Sequence, residues 1–208
     1  MTQRFYVHPD NPQLRLIRQA AQMLRDGAVI AYPTDSSYAL GCHLGDADAL
    51  RRLRQLRGVD DKHHLTLVCA DLSELGKYAR VDNSAFRLLK MATPGPYTFI
   101  LEATKEVPRR VSHPSRRTIG LRVPDNRVTQ ELLEMLGQPL LGTTLIPPGA
   151  SEPLNDPNDI LEHFDRHVQA ILDAGPCPAE PTTVVDLSRG EPELVRRGRG
   201  DPALLGLE

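Results

Sequence analysis

The sequence predicts an α/β protein, a single domain over residues 1–208, with a twisted mixed sheet of parallel and antiparallel strands flanked by helices. Three observations carry this reading. Apolar strand-like runs alternate with amphipathic helical periods through most of the chain. Some strand candidates follow one another with no helix between them, which brings antiparallel pairs into the sheet. A length of 208 residues, with no linker-like stretch, internal repeat or low-complexity tract, suits one domain.

The elements follow in order. Residues 11–27 place Leu14, Ile17, Ala20, Ala21 and Leu24 at helical spacing, with Pro12 near the start and Gly27 after the end. "AVIAYPT" from Ala28 is a buried strand, and Asp46–Gly58 is a helix with leucines on one side and arginines on the other. Leu65–Ala70 is a strand, Asp71 caps a short helix, and Asp82–Ala92 forms another. Tyr97–Thr104 and Thr118–Pro124 read as strands rich in β-formers. Arg127–Gly137 is an amphipathic helix and Pro139–Leu145 a strand. Asp156–Gly175 is expected to be one long helix, with Pro157 at its first turn and Gly175 closing it. "TTVVDLS" and "PELVRRG" end the chain as a strand pair around "RGEP".

Composition narrows the function. The net charge of −2 gives no global basic signal. Arginines nevertheless gather at Arg51, Arg52, Arg54 and Arg57, at Arg109, Arg110, Arg116 and Arg117, and at Arg196, Arg197 and Arg199. These form either one basic face or ordinary solvated surface. Three scattered cysteines, Cys42, Cys69 and Cys177, do not make a disulfide framework, so a cytoplasmic protein is expected. No apolar run approaches the ~18–20 residues of a membrane span, and the N-terminus lacks a secretory pattern. No metal site is expected, His63 and His64 being adjacent loop histidines. Neither G-x-G-x-x-G nor a P-loop is present, so a nucleotide site would need another architecture.

"AYPTDSSYALGC" (Ala31–Cys42) crowds hydroxyls and a carboxylate at the end of a buried strand. "IGLRVP", "LLGTTL" and "PTTVVD" repeat the pattern of an apolar strand running into hydroxyls or arginine. Sites in open α/β sheets form outside strand ends. Short hydroxyls and arginines suit a carboxylate, amine or phosphate. Thr34 and Asp35 read equally well as turn caps.

These stretches resemble motifs of the YrdC-like threonylcarbamoyl-AMP synthase superfamily. "PTDSSYALG" is similar to "PTDTVYGLG", "TPGPYTFIL" to "WPGPLTLIL", "IGLRVPDN" to "VAVRVPDH", and "PTTVVDLSRGEPELVRRG" to "STVVDL…ILRPG". "LLGTTLIPPG" falls where that family has "LATSANPSG". Details such as "KEVPRR" and "LRVP" most resemble the YciO subgroup. The resemblance implies a mixed sheet with a positively charged concave groove. It also implies condensation of L-threonine, bicarbonate and ATP, with Mg²⁺, into threonylcarbamoyl-AMP and pyrophosphate, a step linked to tRNA modification. Some members bind double-stranded RNA or tRNA.

Carried over residue by residue, the resemblance assigns Thr34, Ser36, Tyr38, Arg122 and Thr182 to the amino-acid substrate and Thr143 and Arg196 to the nucleotide. Arg57, Lys62 and Thr144 take catalytic positions. The signature pairs are altered. In "RGVDDKHHL", set against "KGRPxxNPL", Arg57 stands at the lysine and Val59 at the arginine, while Lys62 is displaced. Thr144 and Ile146 stand at the serine and asparagine of "SAN", and Val68 stands at a family histidine. A weakened or altered synthase is one reading. The alternative is a non-catalytic binder of double-stranded RNA or tRNA, held through its phosphates because aromatics are only 4%.

Overall fold

The computed structural model describes all residues, 1–208. The elements in order are β1 (Gln3–Tyr6), α1 (Leu14–Arg25), β2 (Ile30–Tyr32), β3 (Ala39–His43), α2 (Ala47–Arg57) and β4 (Thr66–Val68). Then come α3 (Leu72–Tyr78), α4 (Asn83–Ala92), β5 (Tyr97–Glu102), β6 (Thr118–Arg122), α5 (Arg127–Leu136) and β7 (Leu140–Thr144). The chain ends with α6 (Pro157–Phe164), β8 (Ala170–Asp173), β9 (Thr183–Asp186), β10 (Glu193–Arg196) and a 3₁₀ turn at Pro202–Leu205. All ten strands join one sheet, in the order β1-β8-β2-β3-β7-β4-β6-β5-β9-β10. Pairs β1–β8, β2–β8, β4–β6 and β5–β9 are parallel, and the others are antiparallel.

Helix starts follow local chemistry. Asp46, Asp71, Asp82, Asn126 and Asp156 each accept a backbone N–H of the first turn. Gly58 and Gly137 close α2 and α5 in the left-handed conformation.

The expected helix over 156–175 is corrected. It stops at Phe164, and Ala170–Asp173 is a fully buried strand between β1 and β2. Arg166 adopts φ 68°, a backbone turn no helix continues through. Val168, Ala170, Ile171 and Leu172 are nearly consecutive apolar residues, the pattern of a parallel strand covered on both faces. The strands β1 and β3 also carry no strong pattern of their own. β1 is a short edge strand, and "ALGCH" is mostly small residues.

Strand alternation sorts the buried residues into two layers. Val29, Ala31, Leu40, Leu67, Phe99, Leu121, Leu141, Ile171 and Val185 face one way, onto α2, α3, α4 and α6. Ile30, Tyr32, Val68, Leu140, Ala170 and Leu172 face the other way, onto α1 and α5 only. The second face is therefore covered at the β1–β8–β2 side and left open across β7, β4, β6, β5 and β9. No helix of the chain is long and apolar enough to cross a membrane.

Candidate functional site

The open half of the second face is a groove of about 510 Å³, within the ~300–1,000 Å³ usual for small-molecule sites. Its floor follows from register. Gly41 pairs with Gly142, Gly142 with Thr66, Thr66 with Gly120, and Gly120 with Ile100. Gly41 and Gly142 in this cross-strand row make room for the Tyr32 ring, and Gly120 keeps the floor low between Thr66 and Thr98. A Cβ on Gly120 would come within 3.2 Å of the Thr66 hydroxyl and of the Thr98 methyl.

The rim is cationic. Arg57, Lys62, Arg122 and Arg196 line the groove with His63 and His64, and no aspartate or glutamate does. Arg57 ends α2 and is anchored by Nη1 donating to the Ile146 carbonyl at 2.9 Å, while its Nε has no partner. Arg196 enters through a β-bulge after Leu194 that turns Val195 and Arg196 to the same side. Its Nη2 donates to the Thr182 carbonyl at 2.9 Å and to the Thr182 hydroxyl at 3.3 Å. Thr182 and Thr98 share a hydroxyl bond of 2.9 Å. Burial lowers the pKa of both Arg57 and Arg196.

The hydroxyl-rich turn after β2 takes its shape from Thr34. The Thr34 Oγ1 accepts the backbone N–H of Ser36 and of Ser37, each at 3.1 Å, and donates to the Ser37 carbonyl. Ser36 Oγ lies 3.2 Å from it. Asp35 then faces Arg122. The Asp35 carboxylate accepts from Arg122 Nη2 through one oxygen and from the backbone N–H of Asp125 through the other. Both side chains are nearly buried, 9% exposed for Arg122 and 12% for Asp35.

Of the residues singled out in the sequence, Arg57, Lys62, Arg122, Thr143, Thr144, Thr182 and Arg196 come together around the groove, as does Ile146. Thr34, Ser36 and Tyr38 do not line it. Thr34 and Ser36 are internal to the turn beneath Arg122, and Ser37 is the serine that faces the groove. Tyr38 points to the opposite layer, where its hydroxyl donates to the Gly175 carbonyl at 2.8 Å and accepts from Ala174 N–H. Val59 lies half-buried in a separate depression with Arg51, Arg54 and Arg110. Sequence reasoning missed Tyr32, Thr66, Thr98 and the groove role of His63 and His64. The glycine row that would have pointed to the first three is assembled only by strand pairing.

The histidines form one wall. His64 shares a hydrogen bond of 3.1 Å with the Thr118 hydroxyl, and its ring stacks on His113 at 4.9 Å between centroids. Burial lowers the His64 pKa first, then His113 and Arg116, with Asp186 opposing. Burial likewise lowers that of His63, followed by Arg57 and His64.

An open-faced mixed α/β domain with a cationic, hydroxyl-lined groove and a strand–turn clamp is thereby defined. The chain belongs to the Sua5/yciO/yrdC family, described as telomere recombination, which matches residues 22–198. Among individual proteins, it is 52% identical to YciO of Escherichia coli (strain K12) over 201 residues, 97% of this chain and 98% of that protein. The crystal structure of E. coli YciO superposes with a TM-score of 0.95 at 51% identity, covering 98% of this chain and 99% of that one. A threonylcarbamoyl-AMP synthase from Halorhodospira halophila (strain DSM 244 / SL1) is 32% identical over 157 residues, 75% of this chain and 81% of that protein. The crystal structure of P. abyssi Sua5 complexed with L-threonine superposes with a TM-score of 0.88 at 27% identity, over 95% of this chain and 58% of that chain.

Two outcomes follow from this geometry. Removing one member of a buried ion pair leaves an uncompensated charge, which costs roughly 3–5 kcal/mol. Asp35→Ala should therefore destabilise the chain by about that much in urea unfolding, and Asp35→Ala/Arg122→Met by far less. A loss below about 1 kcal/mol in the single variant would show that the pair does not hold the turn.

His63 and His64 bind protons less readily folded than unfolded, so their contribution to stability is complete above the unfolded value of about 6.5. It is lost as pH falls from there through their lowered folded values. The melting temperature should drop between about pH 7 and pH 5. The drop should be smaller in His63→Gln/His64→Gln, and equal slopes would contradict it.

Proposed function

We propose that the chain is a threonylcarbamoyl-AMP synthase, joining L-threonine, bicarbonate and ATP with release of pyrophosphate. One observation carries the reading: a glycine-floored groove with cations at both ends and no lining carboxylate. Such a groove suits a ligand that is anionic at both ends. Arg122 would take the amino-acid carboxylate, its fork oriented by Asp35. Arg196 and Thr143 would meet the nucleotide, and Arg57, Lys62 and Thr144 the phosphates. The H. halophila relative named threonylcarbamoyl-AMP synthase and the structure of P. abyssi Sua5 complexed with L-threonine support the synthase reading.

In the chemical steps, the threonine amine bonds to the bicarbonate carbon with loss of water to give the carbamate N-carboxythreonine. A carbamate oxygen then bonds to the α-phosphorus and the bond to pyrophosphate breaks. Negative charge builds on the departing phosphates, and positioned cations lower that barrier. With hydroxyls but no carboxylates on the lining, the groove fits a Mg²⁺ carried on the phosphates rather than held by the chain. Ile146 presents an apolar side chain where the resemblance places an asparagine, so a modest rate is expected. Three unbridged cysteines suit the cytoplasm, where such chemistry draws on ATP.

The cluster of Arg51, Arg54 and Arg110 beside α2 favours a second reading, in which this face holds the phosphates of tRNA or double-stranded RNA.

The test is pyrophosphate release by the purified chain from ATP, L-threonine and bicarbonate. Release above background should require all three, and Arg122→Ala should reduce it by at least ~10²-fold. Release that is unchanged when threonine is omitted, or no release at all, would contradict the synthase reading.

A further inference from the structure

Tyr32 ends β2 with a ring that is fully buried. The ring crosses the open face along the glycine row. A Cβ on Gly41 would stand 2.7 Å from its Cε1, and one on Gly142 would stand 2.5 Å from its hydroxyl oxygen. Neither approach is possible for a real side chain, so β3 and β7 carry glycine where the tyrosine passes. Its tip thus reaches the groove, whose lining includes Tyr32 together with Gly142, Val68 and Arg122.

The hydroxyl makes no hydrogen bond within the chain, unlike Tyr38 and Tyr97, whose hydroxyls bond to Gly175 and Asp201 carbonyls. The Tyr32 oxygen is not sealed from solvent, as the partnerless Nε atoms of Arg54, Arg57 and Arg122 are, so it opens onto the groove. Burial raises the Tyr32 pKa well above the ordinary phenol value, with Arg122 as the strongest opposing influence. The group is therefore a neutral donor within electrostatic reach of Arg122. That guanidinium is also incompletely matched. Its Nη2 is engaged by Asp35 and Thr34, and its Nε has no partner. The Tyr32 hydroxyl and the Arg122 guanidinium thus line the same groove, and an anionic oxygen placed between them would accept from both.

We infer that Tyr32 is a specificity-determining residue whose hydroxyl donates to the ligand carboxylate held by Arg122. The inference rests on the amino-acid reading of the groove and deepens it. The site then selects a carboxylate over a carboxamide, because an amide NH₂ turned toward Tyr32 would oppose a donor to a donor.

Calorimetric titration of the full chain with L-threonine and with L-threoninamide, for wild type and Tyr32→Phe, tests this. Phenylalanine keeps the ring against Gly41 and Gly142 and removes only the hydroxyl. L-threonine should bind about 10-fold more weakly to Tyr32→Phe, the loss of one hydrogen bond to a charged group. L-threoninamide should bind the two chains alike. Without ligand, Tyr32→Phe should melt close to the wild-type temperature, since the hydroxyl opens onto the groove and has no partner within the chain. Equal affinity of both chains for L-threonine would overturn the inference alone, as would a lower melting temperature of the free variant, which reveals an internal partner. Failure of the wild-type chain to bind L-threonine would overturn the amino-acid reading and this inference with it.

Discussion

The ion pair between Asp35 and Arg122 ties the groove to the fold. Asp35 belongs to the turn after β2 and Arg122 to the end of β6, strands separated in the sheet by β3, β7 and β4. The second carboxylate oxygen of Asp35 takes the Asp125 N–H, so one side chain fixes both the guanidinium and the loop that follows it. Two nearly buried charges are tolerable only when hydrogen bonds satisfy their remaining capacity. Thr34 supplies part of that satisfaction by holding the turn in shape and lying 3.3 Å from Arg122 Nη2. A surface arginine at this place would lose conformational freedom on every encounter with a ligand. The buried pair has met that cost during folding, which is what preorganisation means here.

The second constraint is asymmetric cover. Four helices close one face of the sheet, while α1 and α5 cover only one side of the other. An open sheet face ordinarily needs polar side chains to meet water. Here much of it is glycine, threonine and small apolar residues, walled by the 58–65 connection and β10. The surface is concave and suited to a ligand rather than to a packed helix. The hydroxyl network Arg196–Thr182–Thr98 extends the same logic to the far side, where a guanidinium is again held by backbone and hydroxyl partners.

Much of this architecture is legible in the sequence because it is set locally. The apolar periods of α1 and α5, the aspartate and asparagine caps and the glycine stops all act within a turn or two of chain. The strand β8 is not legible, because its burial on both faces erases the alternation that marks a strand and its apolar residues continue the period of α6. The "PTDSSY" turn is recognisable as polar and unusual, yet the direction of each hydroxyl is not. Thr34 turns inward, Ser37 reaches the groove and Tyr38 crosses to the opposite layer. Tyr32 reads as one more apolar residue of a buried strand. Its place in the groove depends on Gly41 and Gly142, which become its neighbours only when β2, β3 and β7 pair.

The proposed function places an amino acid at the Asp35–Arg122 end of this groove and nucleotide phosphates toward Arg57, Lys62 and Arg196. A crystal structure of the chain grown with L-threonine and a non-hydrolysable ATP analogue tests it most directly. The account predicts the threonine carboxylate within hydrogen-bond distance, about 2.7–3.2 Å, of Arg122, with the phosphates against the other three cations. Threonine bound away from Arg122, or a nucleotide seated outside the groove, would contradict it.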